Sequence, residues 1–116
     1  YQIDVSDILE SDPEFEHAGE LETSLMLHLM PDAVRWSEAR DFLPEGHKLR
    51  RYTRRRVPTP PLESGGVLGS PTLASARKGE RIFRRWVEAI ARAVESDRLA
   101  GADAPNTPRG RRVKDA

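Results

Sequence analysis

The sequence predicts a small α/β unit made of one short strand, two helices and a long irregular segment between the helices. Polar and apolar residues alternate loosely over residues 1–9, which is the pattern of a pleated strand. Apolar residues recur at helical spacing over residues 21–29 and again over residues 82–94. A chain of 116 residues is long enough for one small domain, which we expect to occupy residues 1–100.

The short strand is predicted over residues 1–5. Ile3, Val5 and Ile8 lie on its apolar side, and the acidic, proline-containing stretch that follows is typical of a loop. The chain starts with neither an initiator Met nor the charged-then-apolar pattern of a signal peptide. We therefore expect the N-terminal part of the protein to be missing from this sequence.

A first helix is predicted after Gly19. Leu21, Leu25 and Leu29 repeat every four residues and form one apolar stripe, and the acids in the first turn suit the positive end of a helix dipole. Pro31 cannot continue this helix and disfavours the helical state in the residue before it, so the helix is expected to end there.

No period holds over residues 33–69, which predicts a long surface excursion of the kind that is functional or part of an interface. Its basic cluster surrounds Tyr52 and consists of Arg50, Arg51, Arg54, Arg55 and Arg56. Arginine and tyrosine together bind nucleic acids, but no recognised nucleic-acid module surrounds them, so a nucleic-acid partner is not expected. An interface role and a plain solvated loop are the two interpretations of this cluster.

A second helix is predicted to open at Ser70-Pro71, because serine is favoured just before a helix and proline at its first position. Its apolar stripe consists of Ile82, Phe83, Trp86, Val87, Ile90 and Val94, with Trp86 as a packing anchor. Gly101 is expected to end the helix, and the polar residues 101–116 are expected to form a disordered tail.

A net charge of zero conceals two oppositely charged halves. Residues 1–45 carry 12 acids and 2 bases, and residues 46–116 carry 17 bases and 7 acids. Such halves either face each other, a neighbouring subunit or different partners, or are ordinary solvated surfaces. The absence of Cys excludes disulfides and favours a reducing, cytoplasmic location. No apolar run approaches the roughly 20 residues that cross a bilayer, so no membrane partner is expected.

The candidate residues for chemistry lie in the segment Glu16–Ser24. His17 stands among carboxylates and can carry a proton to a leaving group, while Glu22 can orient the imidazole or support a metal ligand. The alternative is a helix cap beside a solvated histidine. His28 and His47 lack metal-ligand spacing, so we expect a packed or surface helix residue and a solvated loop residue, and no complete metal site in this chain.

Two blocks of the sequence together carry a resemblance to a known family. The first is Glu16-His17-Ala18-Gly19-Glu20-Leu21-Glu22-Thr23-Ser24-Leu25-Met26-Leu27, continuing to Pro31-Asp32. The second is Gly66-Val67-Leu68-Gly69-Ser70-Pro71-Thr72-Leu73-Ala74-Ser75-Ala76, followed by Lys78-Gly79-Glu80. In this order the blocks resemble the C-terminal portion of the creatininase (creatinine amidohydrolase) family, and they touch most of residues 1–95.

The resemblance implies a partial three-layer α/β fold with a mainly parallel sheet, whose N-terminal half is absent here, and a homo-oligomeric, often hexameric, assembly. It also implies hydrolysis of C–N bonds in amides or cyclic amides. The family does this with two divalent metal ions (Zn, Mn or Fe), which polarise the amide and lower the pKa of a bridging water. In that scheme His17 acts on the tetrahedral intermediate or the departing nitrogen, and Glu16 and Glu22 support the site.

The metal ligands of the family lie mostly upstream, in a Glu-x-His pair, an Asp and an Asn-Gly-His-x-Glu stretch, and none of these motifs is present here. The isolated chain is therefore expected to be inactive, with His17, Glu16 and Glu22 completing a site that the missing half provides. Pro13 stands where creatinine-hydrolysing members often have an aromatic substrate contact, which argues against creatinine as the substrate.

Three alternative functions follow from the same residues. Two of them lie within the family. One is a peptidase-like member that trims a modified precursor peptide, as in the mycofactocin pathway, and the other is a formamide hydrolase. The substrate is then a small amide or a peptide. Outside the family, the chain would be a non-catalytic interaction module that associates through its oppositely charged halves.

Overall fold

The computed structural model describes residues 3–11, 16–43, 52–54 and 57–103. Its two α-helices are α1 (Glu20–Leu29) and α2 (Ala76–Asp103), and its two short strands are β1 (Thr53–Arg54) and β2 (Val57–Pro58). Single turns of 3-10 helix occupy Pro31–Ala33, Trp36–Glu38, Leu62–Ser64 and Pro71–Leu73. Both predicted helices are therefore confirmed, and the described part of residues 33–69 is irregular as expected.

The strand predicted at the start of the chain is wrong for its described part. Residues 3–5 form no strand, and a turn follows in which the Ile8 amide donates to the Val5 carbonyl at 2.9 Å. The turn brings Val5, Ile8 and Leu9 to the same side, where they are buried together with Ile82 of α2. These apolar residues thus form the core through a turn, which a strand would not allow.

The helices of this core approach each other closely. A Cβ atom on Gly79 of α2 would lie 1.8 Å from the backbone oxygen of Ser24 in α1, so no larger residue fits there without moving a helix. Ser24 is fully buried, and its hydroxyl accepts a hydrogen bond from the Ser75 amide at 3.2 Å. The close contact depends on the lack of a side chain at residue 79.

The three-layer α/β arrangement is seen only in part. The described residues are mostly helical, and their one strand pair is antiparallel, with Thr53 opposite Pro58 and Arg54 opposite Val57. No parallel sheet lies within these residues, because their other strand-like pairing consists of single bridges, His17 with Leu68 and Phe42 with Gly69. The described segments pack mainly helix against helix.

The ends of α2 differ from the sequence prediction. Pro71 opens a separate 3-10 turn, and the helix itself begins at Ala76. Gly101 does not end it, since α2 continues to Asp103, so the first three residues assigned to the tail are helical. Residues 104–116 of the predicted tail lie outside the described residues.

The apolar stripe of α2 becomes more exposed along the helix. Ile82 is fully buried, whereas the exposed fraction rises from 40% at Phe83 to 63% at Val94. The helix therefore extends beyond the core, and much of its apolar stripe is exposed to solvent. Among the residues that the structure describes, no helix combines the length and the apolar character needed to cross a bilayer.

Candidate active site

The two sequence blocks meet in space through backbone pairing. The His17 amide donates to the Leu68 carbonyl, and the Leu68 amide donates to the His17 carbonyl, both at 2.8 Å. The next residue, Gly69, exchanges a similar pair of bonds with Phe42 at 2.9 Å. The glycine-rich segment thus holds the histidine segment on one side and residues near Phe42 on the other, beside the start of α1.

Ala18 stands in a left-handed backbone conformation at the bend between His17 and α1. Its φ of 50° is uncommon for a residue with a side chain, and such conformations concentrate at functional sites. The Glu22 carboxylate accepts a hydrogen bond from the Ala18 amide and so holds the bend. The sequence predicts that Glu22 orients the imidazole or supports a metal ligand, and the bond that the structure shows is to the backbone next to His17.

The Glu16 side chain occupies a cradle formed by two glycines. A Cβ atom on Gly19 would lie 2.5 Å from Glu16 Oε1, and one on Gly69 would lie 3.3 Å from Glu16 Cγ. Oε1 accepts a hydrogen bond from the Leu21 amide at 2.5 Å. Oε2 is buried and finds no hydrogen-bond partner among the described residues. The cradle therefore satisfies one carboxyl oxygen of Glu16 and leaves the second without a bond.

The surroundings of Glu16 favour its protonated form. The pKa of Glu16 is raised to about 7, mainly by burial and to a smaller extent by the charges of Glu20 and Glu22, while the hydrogen bond from Leu21 opposes the change. A carboxyl group with this pKa carries a proton in a large fraction of molecules at neutral pH, and can donate a hydrogen bond as well as accept one.

All three predicted site residues line one cleft. Its volume is about 320 Å³, and its lining residues are Glu16, His17, Leu21, Glu22, Pro58 and Trp86. This volume is near the lower end of the range typical of small-molecule sites. His17 is half-buried, so its ring is neither sealed in the core nor fully in solvent. The cleft thus brings one histidine, two acidic residues and three apolar residues to the same space.

A buried ion pair lies at the start of α1, next in sequence to the cleft residue Leu21. Glu20 is fully buried and accepts hydrogen bonds from the amides of Glu10 and Ser11, from the Ser11 hydroxyl at 2.8 Å, and from Lys78 Nζ at 2.7 Å. Burial acts to raise the pKa of Glu20, but the bonds from Lys78 and the neighbouring amides outweigh it and hold the pKa below its usual value. This pair ties the first turn of α1 to α2.

Among the other residues singled out from the sequence, the structure describes His28 and Tyr52. His28 packs in α1 with its ring centroid 5.7 Å from that of Phe83, which confirms a packed helix residue. His47 and four of the five clustered arginines lie outside the described residues. Tyr52 is half-buried, and its ring meets Phe42 edge-on at 5.6 Å.

A family model described as creatinine amidohydrolase matches residues 2–94. The chain belongs to the creatininase family. Its curated relatives include mycofactocin precursor peptide peptidases. That of Mycobacterium tuberculosis (strain CDC 1551 / Oshkosh) is 38% identical over 78 residues, 67% of this chain and 31% of the relative. That of Mycolicibacterium smegmatis is 38% identical over 77 residues, 65% of this chain and 30% of the relative.

The creatininase match covers only part of its relatives. The chain spans about a third of the length of the curated relatives that it matches. No solved structure matches the chain. The family relatives are hydrolases, and the creatininase domain is α/β, of which the described residues show the helical part.

Creatininase-family enzymes are in general metal-dependent, so the described residues were tested as metal ligands. They contain no group of three or more His, Cys, Asp or Glu side chains placed to hold a metal ion. Glu16 Oε2 has a free lone pair, but a single carboxyl oxygen beside one imidazole does not make a site. The residues of this part of the chain therefore do not fit a metal centre by themselves.

Several residues of the site were not expected from sequence. Trp86 was interpreted as a core anchor, and it does pack against the core, but it also lines the cleft. Lys78 and Gly79 were noticed only as part of the family resemblance, and the structure gives their physical roles as the partner of Glu20 and the helix contact. In the sequence, the signal for these two roles was a lysine-glycine pair near the start of a predicted helix.

Proposed function

We propose that this chain is the C-terminal part of a metal-dependent amidohydrolase that cleaves C–N bonds, with His17, Glu16 and Glu22 at its active site. The observation that carries the proposal is the cleft in which these three side chains meet. Its divalent metal ions, Zn, Mn or Fe, would be held by ligands outside the described residues, and the complete enzyme would be a cytoplasmic homo-oligomer.

His17 transfers a proton in this proposal. Imidazole is the side chain that most often acts as a general acid or base, and cleavage of an amide requires a proton on the departing nitrogen. The backbone pairing of His17 with Leu68 and the bend at Ala18 fix where the ring emerges. Glu22 keeps that bend in place through its bond to the Ala18 amide, and so acts as a positioning residue.

Glu16 supplies a carboxyl group that is protonated in roughly half of the molecules near pH 7. Its second oxygen has no protein partner in the described segments, and its environment raises its pKa to about 7. A protonated carboxyl group donates a hydrogen bond to a carbonyl oxygen or accepts one from an amide N–H. Because Oε2 is buried, the Glu16 side chain would have to turn out of its cradle before either bond could orient an amide substrate beside His17.

A peptide is the favoured substrate. The relatives with the printed name mycofactocin precursor peptide peptidase share 38% identity with this chain, and the matched stretch of 78 residues is long enough to include the whole cleft. A peptide bond is also an amide, so the chemistry of the cleft is the same for both substrate classes. A formamide hydrolase and a small cyclic amide are the competing outcomes of a substrate screen.

The test is His17→Ala in the complete protein, with peptides, linear amides, formamides and cyclic amides as substrates. Loss of a general acid or base typically lowers turnover by about 10²–10⁴-fold. We expect a loss of that size with bound metal nearly unchanged, measured by elemental analysis. His28→Ala is the matched control, because His28 packs against Phe83 and does not line the cleft. Full turnover by His17→Ala removes His17 from the mechanism.

A further inference from the structure

The cleft is lined by both polar and apolar residues. Glu16, His17 and Glu22 are the polar residues, while Leu21, Pro58 and Trp86 are the apolar ones. The proposed chemistry uses the polar residues alone. Ligand sites commonly combine a few polar groups that fix orientation with an apolar lining that provides specificity.

Trp86 is held in place by its contacts with the hydrophobic core. Its side chain packs against the core cluster that contains Ile8 and Ile82. The preceding residue, Arg85, pairs with both carboxylate oxygens of Asp7 and also donates to the Asp4 carbonyl at 3.3 Å. A tryptophan fixed in this way forms a preformed wall, and an apolar group that packs on it loses little conformational entropy of the protein.

We propose that Trp86 is a specificity-determining residue, against which the substrate places an apolar side chain adjacent to the scissile amide. This inference rests on the proposed function, since it assumes that the amide reacts at His17. Because His17 and Trp86 line the same cleft of about 320 Å³, the apolar group belongs to a residue next to the scissile bond. The substrate class is therefore an amide or peptide with an aliphatic or aromatic residue at that position.

The kinetic test compares N-acetyl-leucinamide with N-acetyl-glycinamide as substrates of the complete protein. We expect kcat/KM to favour the leucine substrate about tenfold or more, since a few methylenes in an apolar site commonly discriminate by that factor. Trp86→Ala should bring the ratio of the two kcat/KM values close to one, chiefly by raising KM for the leucine substrate. Trp86→Phe should keep most of the selectivity. If Trp86→Ala fails to fold, Trp86→Leu is measured instead.

The matched control is Trp36→Phe, because Trp36 is 47% exposed and does not line the cleft. This variant leaves Trp86 as the single tryptophan of these 116 residues, and the difference between its fluorescence and that of the Trp36→Phe, Trp86→Phe double variant reports binding at Trp86 without turnover. N-acetyl-leucinamide should change that fluorescence and N-acetyl-glycinamide should change it much less. An unchanged substrate ratio in Trp86→Ala, or equal fluorescence responses to the two amides, overturns the inference.

The two proposals fail in different ways. If the wild-type protein hydrolyses neither amide in the presence of Zn, Mn or Fe, nor any substrate of the screen, the proposed function fails. A selective fluorescence response would then still support an apolar binding wall at Trp86. If hydrolysis occurs without any selectivity that depends on Trp86, the proposed function stands and the inference is refuted.

Discussion

Gly79 lies where α2 passes closest to α1, and replacing it with alanine tests the packing of the two helices. In an isolated helix this change stabilises by about 0.8–1 kcal/mol, because glycine is a poor helix former. Here the added Cβ would lie 1.8 Å from the Ser24 oxygen and 2.9 Å from the His28 Cβ. Since the 1.8 Å contact is with backbone, a side-chain rotation cannot relieve it.

The expected cost of Gly79→Ala follows from this geometry. One helix must move by about 1.2 Å to restore even the shortest contact that real Cβ atoms show, and overpacking of this kind costs about 1–3 kcal/mol or more. A backbone contact of 1.8 Å belongs at the upper end of that range, so after the gain in helix propensity of about 1 kcal/mol is subtracted we expect a net loss of about 2 kcal/mol. Because 1 kcal/mol corresponds to roughly 4–8 °C for a domain of this size, Tm should fall by about 8–16 °C.

Thermal unfolding followed by far-ultraviolet circular dichroism provides the assay, and Gly101→Ala in the same helix provides the control. A Cβ on Gly101 meets nothing within 4 Å, so that variant should be as stable as the wild type or gain up to about 1 kcal/mol. A Gly79→Ala protein with a Tm equal to or above that of the wild type would show that the helices are not packed as described.

Two further predictions concern charged groups. Lys78→Met leaves the fully buried Glu20 without its cation, so we expect the free energy of unfolding, measured by chemical denaturation, to fall by about 3–5 kcal/mol. Arg84→Met removes one partner of the exposed ion pair with Glu80 and should lower the free energy of unfolding by less than about 1 kcal/mol. Equal effects of the two variants would contradict a buried pair. Because the pKa of Glu16 rises from 4.5 to about 7 on folding, its contribution to stability is present below pH 4.5 and is lost as pH rises toward 7. Solvent screening of this partly exposed group reduces the change in the free energy of unfolding to about 1–3 kcal/mol over this pH range. Glu16→Gln should remove that pH dependence from the stability profile. An identical profile in the variant would refute the raised pKa.

Local patterns predicted the helices well. The spacing of Leu21, Leu25 and Leu29 and the apolar run of α2 each arise within one element, so a period in the sequence reports them directly. The same reasoning failed at Val5 and Ile8, because the alternation over residues 1–9 is loose and a turn, not a strand, places these two residues on the same side. It also misplaced the ends of α2, since a proline and a glycine are only weak boundary signals.

By itself, the sequence determined the two helices, the family and the candidate residues Glu16, His17 and Glu22, because each of these depends on neighbouring residues or on motif order. Only the tertiary structure decided which distant groups meet. Glu20 and Lys78 are 58 residues apart, and Trp86 is still farther from the histidine whose cleft it lines. Such contacts are set by how the helices pack and what they bury, and no local period records that packing.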